Sequence, residues 1–163
     1  MNVEKTPVVL GWREWLVLPE LGIPAIKAKI DTGAKTSTLH AFRQQIFRKR
    51  GKEFIRFWLH PLQRRKKIEL VCEAPVLDRR LVKDSGGHAE QRYVIMSTAR
   101  LGEREWPIEI TLTSRDTMRF RMLLGRSALT HGGFMVNPDA SYLMGRSLRH
   151  SYKKQGRKIN VLG

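Results

Sequence analysis

One carboxylate in this chain stands where it could do chemistry. Asp31 ends an apolar-rich run and is followed by Thr32, Gly33 and Ala34. A carboxylate at the tip of a strand can activate water if its loop is fixed and partly shielded from solvent. Thr32 can hydrogen-bond locally, and Gly33 allows a close approach that a Cβ would block. These residues are also ordinary turn formers, so a plain strand-turn is the alternative.

A second segment far downstream favours the chemical interpretation. From Met122 to Arg126 the chain places large apolar residues before a glycine and an arginine. This order of segments resembles the retropepsin-like aspartic peptidases. The resemblance implies that Asp31 is the catalytic carboxylate, that Thr32 and Gly33 hold its loop, and that Gly125 braces the loop from behind.

Longer stretches narrow the resemblance to one bacterial branch of that group. They are Gly11–Trp15, Leu21–Ala41 and Trp106–Arg121, and the similarity covers residues 8–148. The branch is often labelled "ATP-dependent zinc protease" and is linked with ATP-grasp ligases that add glutamate tails to proteins. The resemblance implies a peptidase that trims glutamate from a small-subunit ribosomal protein.

The residues give little support to either part of that label. The sequence contains no Gly-x-x-x-x-Gly-Lys-Ser/Thr loop for nucleotide phosphates and no His-Glu-x-x-His pair for zinc. Ligands from distant parts of a chain can still meet at a metal, so a zinc site is the weaker alternative. We expect no cofactor and no metal. The widely spaced histidines are His40, His60, His88, His131 and His150.

One departure from classical retropepsins follows the Asp-Thr-Gly-Ala segment. Those enzymes usually carry an acid there, paired with the arginine after the later glycine; here the position is Lys35, while Arg126 is retained. Two cations cannot form that ion pair, which puts the usual brace and dimer contacts in doubt. Ala34, Lys35 and Arg126 become candidate contacts for an anionic substrate. The alternative is that each cation finds another acidic partner, such as Glu109 or Asp116.

A glycine pair between the two signature segments suits a mobile hairpin tip. Gly86 and Gly87 lie between β-prone residues in the stretch Val82–Tyr93. In retropepsins a Gly-rich flap holds this place in the order of elements, and it closes over substrate to exclude water. The two glycines are therefore candidate substrate contacts, with a simple surface loop as the alternative.

The single Asp-Thr-Gly raises a question of stoichiometry. Aspartic peptidases use two carboxylates that share a proton, because two like charges so close cannot both ionise. A symmetric homodimer would place two copies of Asp31 across its two-fold axis. The alternative is a monomer in which another acid or a basic group assists Asp31.

The elements that must position these residues are mostly β-strands. Short strands with regular turns predict an all-β fold, and the resemblance implies a closed retropepsin-like barrel. One short helix, Ser127–His131, is predicted just after the Gly125-Arg126 turn. The predicted strands are Trp12–Leu18, Ile23–Asp31, Lys35–Ala41, Phe54–Leu59, Ile68–Cys72, Arg92–Leu101 and Trp106–Thr113.

Length and composition fit one globular domain. The chain has 163 residues, of which 41% are hydrophobic, enough for a substantial core. We expect residues 1–148 to form the domain and residues 149–163 to form a basic, mobile tail. There is no apolar run long enough for a bilayer, no secretory signal pattern, and a single cysteine, Cys72. No membrane association and a cytoplasmic location are expected.

The charge of the chain indicates an anionic partner. Lys and Arg number 31 against 15 acidic residues, giving a formal charge of +16. Such a field attracts nucleic acid, anionic membrane or acidic protein, although a surface selected for solubility is an alternative. We hypothesise a peptidase acting on an acidic, glutamate-tailed ribosomal protein. The competing hypothesis is a non-catalytic module that binds RNA or the ribosome. The basic clusters are Arg48–Arg50, Arg64–Lys67 and the tail.

Overall fold

Strands dominate the computed structural model, which describes residues 6–114 and 119–152. One short helix, α1, accompanies them, so the mostly-β prediction is confirmed. Two single 3-10 turns cover Pro19–Leu21 and Ser147–His150. The elements are β1 Val8–Leu10, β2 Arg13–Leu18, β3 Ile23–Asp31, β4 Ser37–His40, β5 Arg43–Lys49, β6 Lys52–Leu59, β7 Leu70–Pro75, β8 Asp78–Lys83, β9 Ala89–Leu101, β10 Arg104–Thr113, β11 Met122–Gly125, α1 Arg126–Gly132 and β12 Phe134–Val136.

Six strands pair in a ring that returns to its first member. Their order is β10-β4-β11-β3-β2-β9, and β9 pairs again with β10. Strand β8 extends the sheet beyond β9, while β5-β6-β7 and β1-β12 form separate small sheets. Buried and partly exposed residues alternate along β2, as expected for strands with one face on a core. The core includes Leu16, Ala28, Ile30, Leu39, Ile95, Ile110 and Leu124.

The elements next to Asp31 agree closely with the sequence. The predicted strand Ile23–Asp31 has the bounds of β3, and the predicted helix Ser127–His131 lies within α1. The predicted strand Lys35–Ala41 is shorter, because β4 begins only at Ser37. The residues before Ser37 form the loop after Asp31 and bond to the start of α1, not to a sheet neighbour.

The chain after β12 packs back over the ring. The buried carboxylate of Glu14 accepts hydrogen bonds from the N–H groups of Gly11 (2.7 Å), Leu143 (2.9 Å) and Met144 (3.0 Å). Tyr152 is 2% exposed, and its hydroxyl donates to a backbone carbonyl of β3 at 2.6 Å. Tyr152 of the predicted tail therefore packs on the body, whereas Arg149, His150 and Ser151 are exposed. Residues 153–163 lie outside the described residues. No helix among the described residues is long and apolar enough to cross a membrane.

Candidate active site

Asp31 ends β3, and its carboxylate is held by the loop that follows. Its Oδ1 accepts hydrogen bonds from the N–H groups of Gly33 at 3.0 Å and Ala34 at 3.2 Å. Among the described residues, none donates a hydrogen bond to Oδ2. The Asp31 side chain is partly buried, whereas Thr32 and Gly33 are exposed. One carboxylate oxygen is therefore fixed, and the other is open to water.

Gly125 lies directly behind this loop, as the sequence predicts. Strand β11 runs parallel to β3 with Gly125 opposite Asp31. A Cβ built on Gly125 would lie 2.6 Å from the carbonyl carbon of Thr36, so only glycine fits without a backbone shift. The Ser37 hydroxyl accepts a hydrogen bond from the Gly125 N–H at 3.0 Å. Sequence reasoning placed Ser37 only in a strand, because the group that its hydroxyl binds lies 88 residues further along the chain.

Arg126 and Ser127 complete the brace through backbone groups. The Arg126 N–H donates to the Ala34 carbonyl at 2.7 Å, and the Ser127 N–H donates to the Lys35 carbonyl at 3.0 Å. The Arg126 guanidinium donates to the Thr32 carbonyl at 3.2 Å. This guanidinium–carbonyl contact joins Arg126 to the loop. In classical retropepsins an ion pair with an acidic residue is usual there, and Lys35 at that position cannot form it.

Lys35, four residues after Asp31, and Arg126, whose guanidinium contacts the Thr32 carbonyl, are together called the cationic rim. Both are exposed, and neither makes an ion pair with any residue in the described ranges. Glu109, one of the acidic partners considered from the sequence, instead pairs with Arg80 at 2.8 Å. Asp116, the other, lies outside the described residues. The rim therefore places two exposed cations in or against the loop that follows Asp31.

The predicted hairpin around the glycine pair is present. Strands β8 and β9 pair antiparallel, and Gly86 and Gly87 sit exposed at the connecting turn. The Asp84 Oδ1 holds this turn by accepting from the N–H groups of Gly86 and His88, both at 2.9 Å. Within the described residues, no hydrogen bond joins either glycine to the Asp31 loop. The hairpin tip is therefore present, but no described hydrogen bond connects its glycines with the loop that carries Asp31.

Other site chemistries find less support in the geometry. Cys72 is buried, and burial raises the pKa of its thiol to about 12, so the reactive thiolate is scarce at neutral pH. Within residues 6–114 and 119–152, no group of three or more His, Cys, Asp or Glu side chains could hold a metal ion. Asp31 is the reactive group that the local structure singles out.

An Asp-Thr-Gly loop at a strand end, braced by an apolar-apolar-Gly strand, is typical of the retropepsin-like class. The chain belongs to the RimB-like family, described as the retropepsin-like aspartic endopeptidase RimB, whose model matches residues 9–147. A solved structure of a Legionella pneumophila protein of unknown function is 26% identical. It superposes with a TM-score of 0.71, covering 85% of this chain and 99% of that one.

Curated relatives of this chain carry the name probable alpha-L-glutamate ligase. The relative from Shewanella halifaxensis is 44% identical, over 94% of this chain and 35% of its own length. The relative from Desulfotalea psychrophila is 42% identical, over 99% of this chain and 37% of its own length. The chain thus spans little more than a third of the length of these curated relatives. Their naming agrees with the predicted association between this family and glutamate ligases.

Proposed function

We propose that this chain is an aspartic peptidase in which Asp31 activates the attacking water. The supporting observation is the asymmetry of the carboxylate, whose Oδ1 is fixed by two N–H groups while Oδ2 is open. Water on Oδ2 gives a proton to Asp31 as its oxygen attacks the peptide carbonyl carbon. The protonated carboxyl then returns a proton to the leaving nitrogen. Thr32 and Gly33 hold the loop in place.

The second carboxylate of the mechanism comes, in this proposal, from another copy of the chain. We take the six-strand ring as a closed barrel and place two such barrels around a two-fold axis, each contributing Asp31. Val9 and Met135 support a contact through the small β1-β12 sheet. They are paired neighbours, 42% and 58% exposed, and form an apolar patch. A monomer with another assisting group is the alternative that oligomer measurements test.

The substrate we propose is an acidic protein segment, specifically a glutamate-tailed ribosomal protein in the cytoplasm. The support is the cationic rim of Lys35 and Arg126 together with the ligase names of the relatives. Guanidinium groups bind carboxylates well, in charge-assisted hydrogen bonds. Ala34 would line the site, and the hairpin tip with Gly86 and Gly87 would fold over the bound segment and exclude water.

A direct test compares two peptides that differ only in charge. One carries a glutamate tail, the other a glutamine tail of equal length, and products are identified by mass spectrometry with and without a zinc chelator. We expect the glutamate tail to be shortened much faster, and chelation to have no effect. Activity lost on chelation and restored by zinc would contradict the aspartic mechanism. No turnover under any condition, combined with RNA binding, would favour the non-catalytic RNA-binding or ribosome-binding module.

A further inference from the structure

A cavity of about 1000 Å³ opens beside β2 and β3, and Arg13, Trp15 and Lys27 of these strands line it. Seven of the residues that line it are Lys or Arg, and none of its described lining residues is acidic. The cations come from four parts of the chain: Arg13 and Lys27 on the strands, Arg64 and Arg65 after β6, Arg119 and Arg121 before β11, and Arg149 near the end. Only folding brings them together.

Aromatic rings alternate with these cations along the cavity wall. The Trp12 and Phe120 rings meet edge to face with their centroids 5.8 Å apart. The Arg13 guanidinium lies 4.6 Å from the Trp12 centroid, and the Lys27 ammonium lies 5.9 Å from the Trp15 centroid. Rings beside guanidinium groups are the combination that binds nucleic acid, since bases stack on the rings and phosphates pair with the cations.

The positive charge in the cavity is not compensated by the described part of the chain. The Nε of Arg121 is buried and has no hydrogen-bond partner among the described residues. Buried donors are almost always paired in native proteins, so this nitrogen is an exception. Burial and then repulsion from Arg13 lower the pKa of Lys27, with smaller repulsion from Arg146, Arg64 and Arg119. An anion in the cavity would relieve this crowding.

We infer that this cavity binds single-stranded RNA, with phosphates on the arginines and bases against Trp12 and Trp15, whose side chains are only partly buried. An acidic peptide would satisfy the cations but offers no planar base to stack on the rings. A duplex hides its bases, whereas a single strand presents them for stacking. The site is separate from the proposed peptidase centre, because no residue of the Asp31 loop lines the cavity. Lys27 precedes Asp31 on β3 by a distance of about 13 Å at the usual strand rise. The inference does not depend on peptidase activity.

The test measures fluorescence anisotropy of a short labelled single-stranded RNA with the full chain. Its competitors are an RNA duplex and a poly-glutamate peptide of equal charge. The cavity variant is the double change Arg64→Glu and Arg119→Glu. The matched control is Arg48→Glu with Arg50→Glu, which changes the net charge equally at residues that do not line the cavity. We expect the cavity variant to weaken RNA binding at least about tenfold and the control less than about twofold, because only the cavity variant removes direct phosphate contacts.

Two further measurements distinguish the contribution of base stacking from that of charge, and they control for misfolding of a variant. Trp15→Leu should weaken binding roughly tenfold with little change in the salt slope, whereas the cavity charge variant should lower that slope by about 0.7 per lost phosphate contact. Quenching of wild-type tryptophan fluorescence by RNA should accompany binding, and it needs no variant. Equal losses in the cavity and control variants would overturn the inference. Poly-glutamate binding as tight as RNA, with the same sensitivity to the cavity variant, would assign the cavity to acidic peptides instead.

Discussion

Asp31 and Asp84 occupy similar turns but face different surroundings. Each uses its Oδ1 to accept two backbone N–H groups from the residues that follow. Asp84 lies in an exposed hairpin, with the His88 ring nitrogen 3.6 Å away. Asp31 instead has a neighbouring strand behind it, with Gly125 in register. The turn geometry alone therefore does not distinguish a catalytic aspartate from a structural one, and the brace supplies the difference.

Replacement of Lys35 tests whether the cationic rim recognises the charge of the substrate. Lys35→Ala should raise KM for a glutamate-tailed peptide several-fold, because the cation would meet substrate carboxylates, and should leave a glutamine-tailed peptide unaffected. Steady-state kinetics on the two peptides measure this, with exposed Lys52→Ala on β6 as the matched control. Equal effects of Lys35→Ala on both peptides would remove Lys35 from substrate recognition.

The candidate site was predictable from sequence where its chemistry is local. Asp31, Thr32 and Gly33 form a recognisable string, and Gly125 follows a recognisable apolar pair. The role of Ser37 was not predictable, because its hydroxyl serves a backbone N–H that lies far along the chain. Local patterns indicate reactive groups, whereas the groups that support them depend on tertiary contacts.

At the scale of elements, Gly125 fixes the distance between β11 and the start of β4. Gly125→Ala places a Cβ 2.6 Å from the Thr36 carbonyl carbon, so the backbone must move. We expect a loss of about 1–3 kcal/mol in the free energy of unfolding, measured by urea denaturation, and a loss of cleavage.

Gly86→Ala is the matched stability control for that change. Its Cβ would meet its nearest neighbours, Asp84 Oδ1 and His88 Nδ1, at 3.4 Å, an ordinary contact. Stability should change by less than about 0.5 kcal/mol. If Gly125→Ala were equally mild, close approach of the two backbones would not be what the glycine provides.

The buried Glu14 ties β2 to the C-terminal segment. Glu14→Gln exchanges one acceptor oxygen for an NH₂ group that faces backbone donors, leaving at least one buried N–H unpaired. We expect destabilisation of about 1–3 kcal/mol and earlier proteolysis around Leu143. Exposed Glu103→Gln is the control. Unchanged stability and cleavage pattern would show that the carboxylate does not hold the segment.

Strand prediction succeeded where one face of a strand is apolar. The sequence of β3 is apolar enough to predict its bounds, whereas β5 was not predicted and only the end of β8, next to the glycine pair, was indicated. Arg43–Lys49 and Asp78–Lys83 are mostly polar, and they are strands because β6 and β9 offer edges to pair with. Pairing with a neighbour overrode the weak local preference, as is common for strands.

At the scale of the whole molecule, the proposed active site needs a pair of chains. Val9→Glu with Met135→Glu should convert a dimer into a monomer, because both changes put charge on the apolar β1-β12 patch. Analytical ultracentrifugation measures this. The control is Leu77→Glu with Met96→Glu, which charges two exposed apolar residues elsewhere.

Cleavage should be lost with the dimer, since each chain carries a single Asp-Thr-Gly. A wild-type protein that is monomeric and fully active at the assay concentration would contradict the dimer. The second catalytic group would then have to come from the same chain.

The distribution of charge was only partly visible in the sequence. Runs such as Arg48–Arg50 stand out along the chain, but this one lies at the end of β5 and in the turn to β6. The aromatic, cation-lined cavity draws single residues from distant segments, and Arg13, Lys27 and Arg121 belong to no basic run. A net charge of +16 indicated an anionic partner, but only the fold indicates where the charge is concentrated.

The rate of peptide cleavage by Asp31→Asn shows whether the Asp31 carboxylate activates the attacking water. Asparagine keeps a carbonyl oxygen for the N–H groups of Gly33 and Ala34 but cannot take a proton from water. We expect kcat/KM on the glutamate-tailed peptide to fall at least about a hundredfold, with an unchanged melting temperature. Asp139→Asn, the same change at an exposed position, should leave the rate intact. A folded Asp31→Asn protein that cleaves at the wild-type rate would contradict the account.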